Sequence, residues 1–175
     1  AKSKEEAAEF VRLGDAAWFA SDFVEFGDGF VKAKALDDRA GCYILLKAME
    51  SVKTSANDLY FVFSTQEEVG LRGGKTSAFS VMPDIGIAVD VTGTGDTPDA
   101  PKMDVRMGEG CAIKVMDRSV MCNPEVVETL RTLAEKNEIP YTNEILTYVS
   151  SISEKVGRIT AISNMGAKPH LRKNN

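Results

Sequence analysis

FSTQEEVGLRGGKTSAFS (63–80) admits two readings, and the choice between them decides the fold. The stretch ends an apolar run, Leu59-Tyr60-Phe61-Val62-Phe63, and turns through glycines into Gly74-Lys75-Thr76. That ending matches the close of a nucleotide-binding P-loop, whose pattern is Gly-x-x-x-x-Gly-Lys-Ser/Thr. Counting back from Gly74, the first glycine falls on Val69, and Gly70 comes one residue late. Adjacent Glu67 and Glu68 would also repel a triphosphate. The stretch therefore reads as strand, acidic turn and helix, with Lys75 and Thr76 as helix residues.

Outward from this turn, helical and strand patterns alternate. DRAGCYILLKAMESVK (38–53) spaces its apolar residues as a helix does, and GLRGGKTSAFSV (70–81) reads as the next helix. LYFVFST (59–65), IGIAVDVT (85–92), GCAIKVMD (110–117), YTNEILTYVS (141–150) and RITAIS (158–163) read as strands. NPEVVETLRTLAEKNE (123–138) is a helix with Asn123 as cap and Pro124 in its first turn; Val126, Val127, Leu130 and Leu133 share one face. Strands apolar throughout, alternating with helices, predict a three-layer α/β/α domain on a mostly parallel sheet. Before it, Ser3–Val11 reads as a short helix capped by Ser3, and residues 12–35 as short strands and turns. The boundary between this leading module and the α/β body is expected near Val31–Leu36.

Composition narrows the functional classes. The chain has 175 residues, of which 43% are hydrophobic and 27% charged, enough for a packed core. A net charge of −5 advertises no nucleic-acid or membrane-surface partner, and the basic tail Lys168–Lys173 reads as a solvated end. No run is long enough to span a bilayer and no signal peptide is evident. Cys42, Cys111 and Cys122 form no CxxC, so buried free thiols in a reducing cytoplasm are expected. The start at Ala1 is expected to reflect processing or a fragment.

Acidic residues fall where open α/β sheets bind ligands, beyond the carboxyl ends of strands. Asp37-Asp38 precedes a helix, Glu67-Glu68 follows LYFVFST, and Asp90 closes IGIAVD. Each has a plain explanation alone: a helix cap, a solvated turn, a loop acid. Together they concentrate negative charge. Like charges about 4 Å apart cost roughly 4 kcal/mol at an effective dielectric near 20, and a bound cation is the usual relief. Carboxylates with a histidine suit zinc or a similar divalent ion.

With KALDDRAG (34–41), STQEEVGLRG (64–73), AVDVT (88–92) and AIKVMDRSV (112–120) in this order, the chain resembles the tetrahedral (TET), or deblocking, aminopeptidases from about Ser3 to Leu146. These are dinuclear metallopeptidases, whose relatives also carry glutamyl aminopeptidase or endoglucanase labels. The resemblance implies two divalent metals, zinc or cobalt, with Asp37 bridging them and Asp38 supporting it. It implies Glu67 as the general base on a metal-activated water, Glu68 as ligand to one metal and Asp90 to the other. It further implies peptide substrates, a homo-oligomer, and residues 1–30 as the end of an accessory dimerisation domain before an incomplete catalytic domain, 31–175.

Two departures bear on activity. The family places a His-x-Asp motif upstream of the accessory domain, whereas the single histidine here is His170. TYVSSISEKVG (147–157) replaces the family's Gly-Gly-Thr-Asp-Ala-type stretch, although His170 keeps the spacing of a liganding histidine after ITAIS. The expectation is a metal-dependent aminopeptidase with one site short of ligands. The competing expectation is a non-catalytic assembly or binding domain on the same fold.

Overall fold

The computed structural model describes residues 1–147 and 159–163. Its elements in chain order are α1 (Lys4–Ala8), β1 (Val24–Phe26), β2 (Phe30–Lys32), α2 (Leu36–Ser51), α3 (Arg72–Val81), β3 (Gly86–Asp90), β4 (Cys111–Met116), α4 (Pro124–Lys136), β5 (Tyr141–Ile145) and β6 (Ile159–Ser163). Local signals account for the helix starts. Ser3 accepts a hydrogen bond from the Glu6 N–H at 3.2 Å. Asn123 accepts from Glu125 and Val126 at 3.0 and 3.2 Å, satisfying donors that the first turn of α4 leaves free. α1 buries none of its residues and stops short of Val11.

The fold is α/β. A four-stranded sheet has the order β3-β6-β4-β5. β3 pairs parallel to β6 and β4 parallel to β5, while β4 and β6 are antiparallel. The sheet is thus mostly parallel with a reversal at its centre. α2 packs on β3, and α4 packs on β4 and β6. β1 and β2 form a separate antiparallel hairpin, with Phe26 and Phe30 stacked at 5.8 Å. No helix among the described residues is long and apolar enough to cross a membrane.

Alternation along β4 gives the sheet two unlike faces. Ile113 forms the core with Cys122 and Val127, and Cys111, Val115, Val120, Leu130 and Tyr141 pack against it. The intervening residues Ala112 and Lys114 are equally buried, on the opposite face. Lys114 lies in register beside Glu144 of β5.

One expected strand is absent. Residues 59–64 hold no regular element, and no described strand pairs with them. Leu59, Tyr60, Val62 and Phe63 are exposed. An apolar β-branched and aromatic pattern expresses a preference for a pleated, half-buried surface, and a strand exists only where a ladder partner takes its hydrogen bonds. Glu67 and Glu68 accordingly follow an irregular segment.

Candidate metal centre

Asp90 is the last residue of β3, at the carboxyl end of a parallel strand. Its Oδ1 accepts a hydrogen bond from the Val91 N–H at 2.7 Å. Because α2 packs on β3, the first turn of α2 reaches the same edge. Asp37 and Asp38 depart there from helical geometry, with φ/ψ of −85°/108° and −118°/50°, and the peptide between them is cis. Regular winding begins after Asp38, whose Oδ1 accepts from the Gly41 N–H at 2.8 Å, as an N-cap does. One carboxylate oxygen each from Asp37, Asp38 and Asp90 lie within 4.8 Å of one another.

The acidic turn approaches this group. Glu67 O accepts from Gly70 and Leu71, and Gly73 N donates to Thr65 O at 2.9 Å. The turn closes tightly because Gly73 lacks a side chain: a Cβ there would collide with the Thr65 backbone. Gly70, at φ 112°, is one of three positive-φ residues in the bend, with Gln66 at 55° and Leu71 at 60°. Thr76 Oγ1 donates to Arg72 O and Gly73 O inside α3. The glycines therefore shape the turn and start the helix. Glu67 is half-buried and Glu68 exposed; Glu68 is outside the three-oxygen group.

The electrostatics report the crowding. Burial pushes the Asp90 carboxyl up to about 7, against the opposing Val91 N–H, and the charges of Asp38, Asp37 and Glu67 push in the same direction. Burial also raises Asp38, with Asp37 adding to the shift while the Gly41 N–H opposes it. Glu67 is raised by burial first, then by Glu68, Asp37 and Asp38. These acids sense one another across three chain segments. An oxygen-rich donor set of this kind fits a hard or borderline divalent cation, whose charge would offset the repulsion and the desolvation together. His170 lies outside the described residues.

A second polar group, buried within the sheet, was not evident from the sequence. Lys114 Nζ lies 2.8 Å from Glu144 Oε2 and 3.5 Å from Asp117 Oδ2, with side chains 4% exposed for the lysine and 0% for each acid. Thr92 Oγ1 donates to the other Glu144 oxygen. Asp117 Oδ1 accepts from Ser119 N, Ser119 Oγ and Val120 N, binding the turn after β4. A charge inside the apolar run CAIKVM was the available signal, since lysine is almost never fully buried unless paired. A cavity of about 620 Å³ lies nearby, lined by Lys102, Met103, Arg106, Asn143 and others, and none of the clustered acids borders it.

Comparison with known proteins follows the same lines. The pattern of the family described as M42 glutamyl aminopeptidase matches residues 1–160. A curated relative from Acetivibrio thermocellus is 56% identical over 146 residues, covering 83% of this chain and 44% of its own length. The lysyl aminopeptidase of Pyrococcus furiosus is 36% identical over 141 residues, covering 80% of this chain and 40% of its own. Among solved structures, aminopeptidase APDkam598 from the archaeon Desulfurococcus kamchatkensis superposes with a TM-score of 0.80 at 37% identity, over 92% of this chain and 48% of that one. The TET1 peptidase of Pyrococcus horikoshii, described as assembling into a tetrahedron or a large octahedral shell, gives 0.69 at 29% identity, over 92% and 49%. The chain spans less than half the length of the curated relatives it matches.

Proposed function

Because this chain belongs to the M42 glutamyl aminopeptidase family, we propose that it carries the metal-binding acids of an aminopeptidase, a hydrolase that removes residues from peptide N-termini. One observation carries the reading: the adjacent Asp37 and Asp38 and the sequence-distant Asp90 bring oxygens within 4.8 Å of one another. Asp37 would serve both of two divalent ions, zinc or cobalt, with Glu68 on one and Asp90 on the other, and His170 as a further ligand. Asp38 supports the arrangement, since the Gly41 N–H already engages its Oδ1.

The ions, when bound, act as Lewis acids that polarise the scissile carbonyl and acidify a water. Glu67 is the general base. Its raised pKa, set by burial and by neighbouring carboxylates, brings its proton affinity nearer that of a base working around neutral pH. It takes the proton of the attacking water and returns it to the departing amine. Two adjacent glutamates divide the labour: the exposed Glu68 turns to an ion, the half-buried Glu67 to the proton. Residues 1–30 read as the end of an accessory domain. The outward-facing Trp18, Phe19 and Phe23 and the shell-forming neighbour support a homo-oligomer for the whole protein.

The test is a titration of the metal-free chain with Zn²⁺ or Co²⁺, read as bound ions per chain, alongside hydrolysis of an aminoacyl reporter. Two ions and reporter cleavage are expected. Fewer than two ions with no cleavage would leave the chain as a non-catalytic binding or assembly domain.

A further inference from the structure

We propose that Thr92 is a positioning residue for the metal centre, holding Asp90 in place through its hydrogen bond to the buried Glu144. The inference rests on the metal-centre reading above. β3 and β5 stand at opposite edges of the sheet order β3-β6-β4-β5. Neighbouring strands lie roughly 4.8 Å apart, so these edges are separated by three such steps. The Thr92–Glu144 hydrogen bond nevertheless joins the segment just after β3 to β5. The chain leaving Asp90 therefore turns across the sheet at once, and that bond ties it down.

The peptide between Asp90 and Val91 is the one that holds the acid, and Thr92 follows it directly. Val91 N–H donates to Asp90 Oδ1 at 2.7 Å, so the orientation of this N–H sets the orientation of the carboxylate. Val91 is fixed on one side by β3 and on the other by Thr92. The anchor itself is rigid. Glu144 is fully buried, in register beside Lys114, and Lys114 in turn meets Asp117, which three N–H and O–H donors hold in the turn after β4. From Thr92 inward, the path to the centre of the sheet is thus a series of hydrogen bonds and ion pairs among buried side chains. Groups that orient a ligating side chain in this way commonly contribute about 10–100-fold to metal affinity.

The experiment measures Co²⁺ affinity of the whole chain by calorimetry and by the cobalt absorption band, with thermal unfolding in parallel. Thr92→Val keeps the side-chain shape and removes the donor; Kd for cobalt should weaken about 10-fold or more, with a shifted absorption band. Thr92→Ser should restore both to near the parent values. Glu144→Gln retains a carbonyl oxygen for Thr92 to donate to, so it should lower stability while keeping cobalt affinity within about threefold. Where Thr92→Val does not fold, Thr92→Ala, which also removes the donor, takes its place in the comparison with Thr92→Ser, with the same loss expected and retained affinity overturning the inference. A Thr92→Val chain that melts earlier but binds cobalt as the parent does overturns the inference alone, as does a folded Glu144→Gln chain that loses affinity. A parent chain that takes up no cobalt overturns the metal-centre reading and this inference with it.

Discussion

Gly41 holds Asp38 by its backbone N–H at 2.8 Å, and a Cβ at Gly41 would overlap the same carboxylate. The clash is with the mobile end of a side chain, not with backbone, so the fold can absorb it by turning Asp38 away. Gly41→Ala should therefore leave the melting temperature close to the parent's, because the gain of up to about 1 kcal/mol from alanine in a helix is offset by about 1 kcal/mol lost with the Asp38 cap. Divalent-ion affinity should fall. Parallel calorimetric titration and thermal melts separate the two effects; a loss of stability with affinity intact would contradict this account.

Gly73→Ala should behave in the opposite way. Its Cβ would meet the Thr65 backbone, which cannot rotate aside. Overpacking of this kind costs about 1–3 kcal/mol. The melting point should drop by several degrees, at about 2–4 °C per kcal/mol for a chain of this size. Glu67 and Glu68 ride on the turn that must open, so activity should fall further than stability alone explains.

The metal-free chain should lose stability as pH rises. Asp90 titrates near 7 in the folded chain, against an ordinary value of 3.8. Between those values the native state keeps a proton that the unfolded chain has released. Stability is then highest at the acid end of the window and declines as pH climbs through about 7. The raised Asp38 and Glu67 act in the same sense. Urea unfolding of chelator-treated chain at pH 5 and pH 8 checks the sign, and adding a divalent cation at pH 8 should reverse the loss.

Glu67→Gln removes the proposed base with little change of shape. Reporter hydrolysis should fall about 10²–10⁴-fold, the usual contribution of a positioned acid–base group, while the number of bound ions stays the same. Unchanged hydrolysis would mean that another group moves the proton.

Lys114→Met should be the most destabilising of these changes. It leaves Glu144 buried without its counter-charge, and breaking one side of a buried pair costs about 3–5 kcal/mol. Denaturant midpoints should show a large drop, which a combined Lys114→Met, Glu144→Gln chain partly recovers.

What could be read from the sequence was what neighbouring residues decide. The cap at Asn123, the helix that follows the acidic turn and the strand that carries Asp90 all rest on local preference or periodicity, although the sequence pattern ran two residues before α3 and past both ends of β3. The acids were noticeable because two pairs are adjacent and Asp90 ends an apolar run. Their mutual approach is a tertiary fact, set by α2 packing on β3. Leu59–Phe63 shows the converse: its local pattern was that of a strand, but pairing is a property of two segments, and none of the described strands joins it. The antiparallel contact of β4 with β6 and the pairing of Lys114 with Glu144 were equally out of reach, since register relates residues far apart in the chain.

The segment between β3 and β4 is pinned at its base and open at its tip. Thr92 is tied to Glu144, Gly95 N donates to Val105 O at 2.8 Å, and Met107 N donates to Asp96. Thr97, Pro98 and Asp99, by contrast, are exposed. The tip can thus be lengthened, shortened or recomposed without transmitting strain to Asp90. The geometry separates two tasks: the base holds the backbone beside Asp90 fixed, while the apex is a surface on which residues can change at little cost to the fold.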